Sequence, residues 1–205
     1  MADANGLLMA FMEPPAAMED EFNDWYDQEH LPERNALPGF IAGQRWRCLH
    51  GYPRWVATYF LTTAAALHTP EYDRVGGDNA SPWTKRVTGR TIGRLRVVGE
   101  RIGTGDATPF DQNRTSRLLT ARYPLAGGVA EAPLLQALAA ACAAMPEHPS
   151  IRLYRGLDAS EQNIWLLAAF RQPVGIEALA GQLGEVGGVG ATHFNLYMPH
   201  WKVQG

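Results

Sequence analysis

The chain has 205 residues, of which 46% are hydrophobic and 19% charged, and its formal net charge is −3. This much apolar material is enough for a packed core and excludes an intrinsically disordered chain. A slightly acidic protein lacks the positive field that holds a phosphate backbone, so nucleic-acid binding is disfavoured. No stretch approaches about 18 uninterrupted apolar residues and no signal-like segment opens the sequence, so we expect a cytoplasmic protein with no membrane partner.

In the first half, the hydrophobic pattern alternates between the strand period of 2 and the helix period of 3.6. Ser81 and Pro82 are typical of a helix start, with serine as the cap and proline in the first turn. Pro32 disfavours helical geometry in its predecessor, so a helix should end near Leu31. The predicted elements are strand 6–13, helix 16–31, a hairpin of strands 39–49 and 54–62, helices 63–72 and 81–87, and strand 91–102.

The second half repeats this order with similar segments, since 7–14 resembles 118–124 and 55–61 resembles 164–170. One βαββαβ unit covers a single face of its sheet with helices, and the other face needs a partner. We therefore predict an α+β fold of two ferredoxin-like βαββαβ repeats whose antiparallel sheets form one α/β barrel within the chain. The predicted division is a first repeat over 1–103, a linker over 104–114 and a second repeat over 115–205.

The first helix carries the residues that point to chemistry. Met18, Phe22, Trp25 and Tyr26 form an apolar stripe at helical spacing, and Glu29 and His30 follow on the same side. A carboxylate on an apolar stripe either has a partner or has a raised pKa.

Histidine exchanges protons near neutral pH, so we predict His30 as a general acid or base, oriented by Asp27 or Glu29. The alternative is structural, with Glu29 and His30 pairing with Arg34 or the backbone to fix the helix end.

The segment 21–34 resembles the Trp-Tyr-x-x-x-His-x-Pro signature of the EthD-like branch of the dimeric α/β-barrel superfamily, through Trp25, Tyr26, His30 and Pro32. The resemblance implies a barrel with pockets between sheet and helices. Its members are usually single units that dimerise, whereas this chain carries two units and one motif. A fused pseudo-dimer with one site is the interpretation that follows.

Other residues are candidates for binding a substrate in such a pocket. His193 and Tyr197 lie on the polar face of the last strand, although that face could instead be exposed to water. The candidate substrate-binding set is Tyr26, Trp25, Arg34, Trp46, Trp83, Arg86, His193 and Tyr197. Core packing for Trp46 and a surface pairing of Trp83 with Arg86 are the alternatives.

The scattered histidines lack the spacing of a metal site, and we predict no metal and no cofactor, with haem left open because one axial histidine leaves little trace. The expected partner is a small-molecule ligand, and the chain could be a monomer or a homodimer.

The superfamily includes cofactor-free monooxygenases, isomerases, polyketide cyclases, haem enzymes and sensors, so fold does not settle function. The first hypothesis is a cofactor-independent enzyme for proton transfer, isomerisation, cyclisation or oxygenation of a small carbonyl or aromatic metabolite. The alternatives are a non-catalytic or stress-related barrel that binds a hydrophobic ligand, and a structural protein.

Overall fold

The computed structural model describes residues 3–103, 107–158 and 161–201. The first half alternates strands and short helices. Its elements in chain order are β1 (Gly6–Glu13), α1 (Glu19–Trp25), α2 (Leu31–Asn35), β2 (Phe40–His50), β3 (Trp55–Leu61), α3 (Pro70–Asp73), α4 (Pro82–Thr88) and β4 (Ile92–Arg101). A π-helical turn over Tyr26–His30 joins α1 to α2, and 3-10 turns lie at Ala16–Met18, Ala64–His68 and Gly77–Asn79.

The second half follows the same order after a 3-10 turn at Gln112–Arg114. Its elements are β5 (Arg117–Pro124), α5 (Glu131–Ala143), β6 (Ser150–Gly156), β7 (Asn163–Phe170), α6 (Ile176–Leu183), β8 (Glu185–Val186), β9 (Val189–Gly190) and β10 (His193–Pro199). The two-residue strands β8 and β9 form a small separate hairpin.

The eight long strands form a closed barrel in the order β1, β3, β2, β10, β5, β7, β6, β4. Within each half the first strand pairs with the third and the fourth, and the third with the second, as in a ferredoxin-like sheet. Two antiparallel seams join the halves, β2 with β10 and β4 with β6. The predicted fold class is therefore confirmed.

The apolar residues form three clusters that correspond to three layers. The barrel interior is filled by side chains from both halves, including Phe11, Trp46, Tyr154 and Trp165. A second cluster packs α5 and α6 against the outer face of the second sheet. The third packs the first-half helices against their sheet. Gly43 on β2 permits the close approach of α2, because a Cβ there would lie 2.8 Å from Leu31 Cδ1.

Residues 104–106 of the predicted linker lie outside the described residues. The rest of that segment is anchored to the barrel at a few residues. Phe110 is buried in the interior cluster, Ala4 N–H donates to the Ala107 carbonyl, and Gln112 Nε2 donates to the Arg45 carbonyl. The segment therefore contributes to the core as well as connecting the two halves.

Two sequence predictions differ from the structure. The helix predicted over 16–31 does not end near Leu31 but continues to Asn35. The π turn ends at His30 and α2 begins at Leu31, so Pro32 lies in the first turn of α2, where proline is tolerated. The helix predicted over 63–72 is a 3-10 turn followed by α3. The predicted Ser81 cap is confirmed, since its Oγ accepts a hydrogen bond from the Thr84 N–H.

Candidate functional site

The π turn over Tyr26–His30 sets the position of His30. The Leu31 N–H donates to the carbonyl of Tyr26, five residues back, so the turn holds one residue more than an α-helical turn. Such insertions are frequent at functional sites. The His30 ring packs on Trp25 at a centroid distance of 4.4 Å and meets Tyr26 edge-on at 5.2 Å. Both aromatic side chains are buried, so they hold the imidazole at a fixed place on the helical layer.

His30 forms part of the wall of a cavity of about 660 Å³ between the first-half helices and their sheet. Side chains from β1, β3 and β4 form one wall, and residues of α2, α3, α4 and the turn before α4 form the other. This volume is typical of a small-molecule site. The cavity therefore lies where the first layer departs from solid packing.

The imidazole of His30 is neutral at physiological pH. Burial, followed by the positive charges of Arg34 and Arg45, lowers its pKa from 6.5 to about 3. Its Nδ1 is buried and makes no hydrogen bond within the described part of the chain. A buried polar atom of this kind usually has a partner, so a ligand or water in the cavity is the natural one. The ring can accept a proton or donate a hydrogen bond to whatever occupies the cavity.

Two tyrosines lie near this histidine. Tyr59, on β3, faces the cavity, and Tyr26 lies next to it. Burial raises the pKa of Tyr26 to about 12 and that of Tyr59 well above 10, so both hydroxyls stay protonated. Neither hydroxyl makes a hydrogen bond of regular geometry with the described residues. Protonated phenols at this place can donate to a developing oxyanion.

Arg34 brings a buried positive charge to the same cavity. Only 5% of its surface is exposed, its Nη2 donates to the Val75 carbonyl at 2.8 Å, and its guanidinium lies over the Tyr72 ring. Its Nη1 makes no hydrogen bond to the described residues and lies 3.6 Å from Glu33 Oε2, too far for one. Arg34 lines the cavity, so this nitrogen is a candidate donor to a ligand there.

The two carboxylates predicted to orient His30 have other contacts. Glu29 accepts hydrogen bonds from Ser81 and Thr84, and Thr84 also accepts one from Trp25 Nε1, so Glu29 connects the π turn to α4. Asp27 lies 2.7 Å from Arg45 and 3.8 Å from His200 Nε2, beside a separate cavity of about 300 Å³.

Burial alone would raise the pKa of Asp27, but His200 and Arg45 together lower it. Neither carboxylate contacts His30 through a hydrogen bond that the structure records, and their orienting roles stay predictions.

The other predicted residues lie at two different places. Trp46 is inside the barrel, where its Nε1 donates to Thr58, and Tyr197 is buried in the same cluster. His193 also packs inside, against Phe11 and Trp165, with a hydrogen bond to Thr120. Trp83 and Arg86 are on α4, where Arg86 pairs with Glu21 at the surface. The cavity therefore brings together His30 and Arg34, with Trp25 and Tyr26 behind them.

Sequence reasoning missed several residues of the cavity wall, namely Tyr59, Tyr72, Lys85, Arg94 and Arg96. Tyr59 was within reach, because it shares a strand face with Trp55 and Ala57 and that face meets the helices. Arg94 and Arg96 alternate on β4 with the same period. The missing information was which strand faces the cavity, and only the tertiary structure supplies it.

No family model matches the sequence, and no curated protein matches it. Solved structures do match. An anthrone oxidase-like protein has a TM-score of 0.63 at 13% identity, over 97% of this chain and 92% of that chain. A mutant chlorite dismutase from Candidatus Nitrospira defluvii has a TM-score of 0.60 at 9% identity, over 97% of this chain and 93% of that chain. A candidate monooxygenase from Fusobacterium nucleatum has a TM-score of 0.54 at 6% identity, over 99% of this chain and 98% of that chain. The chain thus has the fold of these α/β-barrel proteins.

The prediction of no cofactor is contradicted at the level of the fold, because the similar structures include the haem-binding chlorite dismutase. In the second half of this chain, the space between helices and sheet is filled by an apolar cluster whose described members include no histidine. That second-half layer therefore offers no axial histidine for a haem among its described residues.

The described residues contain no group of three or more His, Cys, Asp or Glu side chains placed to hold a metal ion. None of the described helices is long and apolar enough to cross a membrane.

Proposed function

We propose that this chain is a small-molecule enzyme of the EthD-like type, a tandem barrel with one site in its first unit (1–103) and a structural second unit (115–205). Its reaction is proton transfer, isomerisation, cyclisation or oxygenation of a small carbonyl or aromatic metabolite. His30 is the acid or base, and Tyr59 donates a hydrogen bond to the oxygen on which negative charge develops.

One observation carries the proposal: His30, Arg34 and Tyr59 line a single cavity, and each has a buried polar atom that makes no hydrogen bond of regular geometry to the described residues. Leaving buried polar atoms without hydrogen bonds costs stability, and this kind of cost is often seen where residues serve a ligand instead of the fold. The wall formed by Leu8, Met12 and Leu95 supplies the apolar surface that a substrate's carbon skeleton needs.

The contacts of Glu29 support an indirect role for it. Through Ser81 and Thr84 it fixes α4 against the π turn, and α4 forms part of the cavity wall. Glu29 would therefore position the wall around His30 without touching the substrate.

A proton-transfer assay tests the proposal without knowledge of the natural substrate. Cyclic 1,3-diketones and lactones have exchangeable C–H protons next to a carbonyl, and NMR in deuterium oxide follows their loss. We expect catalysed exchange for at least one compound, and a loss of about 100-fold or more in His30→Gln, the usual effect of removing a general base. His68→Gln is the matched control, because His68 is exposed and away from the cavity. Equal rates in His30→Gln and the control would refute the role of His30.

A second function is favoured by the low pKa of His30, because so weak a base is better suited to hydrogen bonding than to abstracting a proton. The chain would then be a barrel that binds its ligand unchanged. Saturable binding of a compound that undergoes no exchange, in the wild type and in both variants, would support this function over catalysis.

A further inference from the structure

The wall of the cavity carries an unbalanced charge. Arg34, Lys85, Arg94 and Arg96 form part of it, and no Asp or Glu is among the described lining residues. His30, the remaining ionisable group besides the tyrosines, is neutral. A concave surface with one sign of charge concentrates ligands of the opposite sign. The chain as a whole is slightly acidic, so this positive concentration is local to the cavity.

The four cations differ in how they are held. Arg94 and Arg96 are exposed on β4 and make no ion pair within the part of the chain that the structure describes. Lys85 donates to the Asp78 carbonyl. Arg34 is the buried one, and its Nη1 makes no hydrogen bond to the described residues, although Glu33, outside the cavity wall, pairs with it at 3.6 Å. A buried guanidinium is a strong receptor for an anionic oxygen because charge-assisted hydrogen bonds strengthen at low dielectric.

The geometry favours a small, singly charged group over a phosphate. Nη2 of Arg34 is already engaged by the Val75 carbonyl, so the guanidinium cannot offer its full fork of donors. Tyr59 adds one neutral donor beside it. A carboxylate is satisfied by a few donors of this kind, whereas a dianionic phosphate brings more charge and more acceptor oxygens into the buried site.

We propose that the ligand of this cavity is a carboxylic acid with an apolar, mostly planar body, whose carboxylate binds Arg34 and whose body lies against Leu8, Met12 and Leu95. This inference names the substrate class of the site described under the proposed function and rests on that site being the functional one. Arg94 and Arg96 at the cavity edge attract the acid as it enters.

The bound acid also changes His30. A carboxylate on Arg34 cancels part of the positive charge that disfavours the imidazolium, so the pKa of His30 rises when the acid binds. The bound acid would thereby make His30 a stronger base, whereas a neutral analogue of the same shape would leave the basicity of His30 unchanged. This difference can be observed at one histidine, independently of turnover.

The test compares 2-naphthoate with 2-naphthamide, which have the same body and differ in charge, by isothermal titration calorimetry. We expect the wild type to bind the acid at least about tenfold more tightly than the amide, because a hydrogen bond between two charged groups is stronger than one to a neutral amide. Arg34→Met should bring the two affinities together. The double variant Arg94→Gln, Arg96→Gln should weaken acid binding about threefold at low salt and less at high salt. Arg90→Gln, an exposed arginine outside the cavity wall, is the matched control.

The cavity-edge double variant keeps the test usable if Arg34→Met does not fold, because both residues are exposed on a strand. NMR of His30 with each probe adds a second measurement, with a rise in pKa expected for the acid alone. Equal binding of acid and amide, binding of neither, or binding of 2-naphthyl phosphate in place of the acid would each overturn the proposal. Acid-specific binding without any catalysed exchange would leave it standing while the catalytic function failed.

Discussion

The two halves of the barrel have the same strand order but different helical layers. In the second half, α5 presents Leu134, Leu138 and Cys142 to its sheet, and the space between them is filled. In the first half, the corresponding segment contains a π turn and presents His30 and Arg34 next to a cavity. Both halves have the same architecture, so the architecture alone does not create the candidate site. The site depends on a few polar side chains and one extra helical residue.

The largest expected effect is a loss of stability in the filled helical layer of the second half. Leu138→Ala removes a fully buried side chain, so we expect the free energy of unfolding to fall by about 3 kcal/mol. Binding of 2-naphthoate at the other half should stay unchanged. Urea unfolding combined with calorimetry checks both. A loss of binding in the folded variant would contradict the separation of the two layers.

The next effect is a pH dependence of stability that originates at His30, in the helical layer of the first half. The folded pKa of His30 is about 3 and its unfolded value about 6.5, so below pH 6.5 the unfolded state binds an extra proton. Stability from this group is complete above pH 6.5 and is lost as the pH falls towards 3, by about 2 kcal/mol at pH 5.

His30→Gln should lose less stability than the wild type over this range in urea unfolding at several pH values. His193, with a pKa of about 4, contributes equally to both proteins, so it cancels in the comparison. Parallel curves for the two proteins would show that His30 is not buried as described.

A smaller effect is expected at the connection between the π turn and α4. Ser81→Ala removes the helix cap and one of the hydrogen bonds to Glu29, and such a change costs about 1 kcal/mol. Because α4 forms part of the cavity wall, acid binding should weaken as well. Ser150→Ala in the second half is the control, and it should leave binding unaltered. Unchanged binding in both variants would show that the Ser81 cap does not affect ligand binding at the cavity.

The smallest effect is expected at Arg86. Its pairing with Glu21 is at the surface, where ion pairs contribute little, so Arg86→Gln should change the free energy of unfolding by less than about 0.5 kcal/mol. Binding of 2-naphthoate should not change either, because Arg86 is not among the described residues of the cavity wall. A clear loss of binding would show that Arg86 contributes to the ligand site.

Much of the fold could be predicted from the sequence, because hydrophobic period and an internal repeat specify elements and their order. His30 and Arg34 could be found because they lie on one short helical segment. Arg94 and Arg96 could not, because they reach the cavity from β4, whose position beside β1 is decided by the closed barrel. The π turn was missed for a different reason: a single inserted residue leaves the helical pattern almost intact, and Pro32 then indicated an end where α2 in fact begins.

The π turn has a consequence for insertions and deletions. Each residue in a helix turns the chain by about 100°, so deleting an exposed residue such as Gln28 would restore an ordinary helix and place His30 four residues after Trp25, on the same side of that helix. The turn therefore absorbs one extra residue locally and keeps His30 against Trp25. A chain one residue shorter at this place should still fold with the same residues facing the sheet.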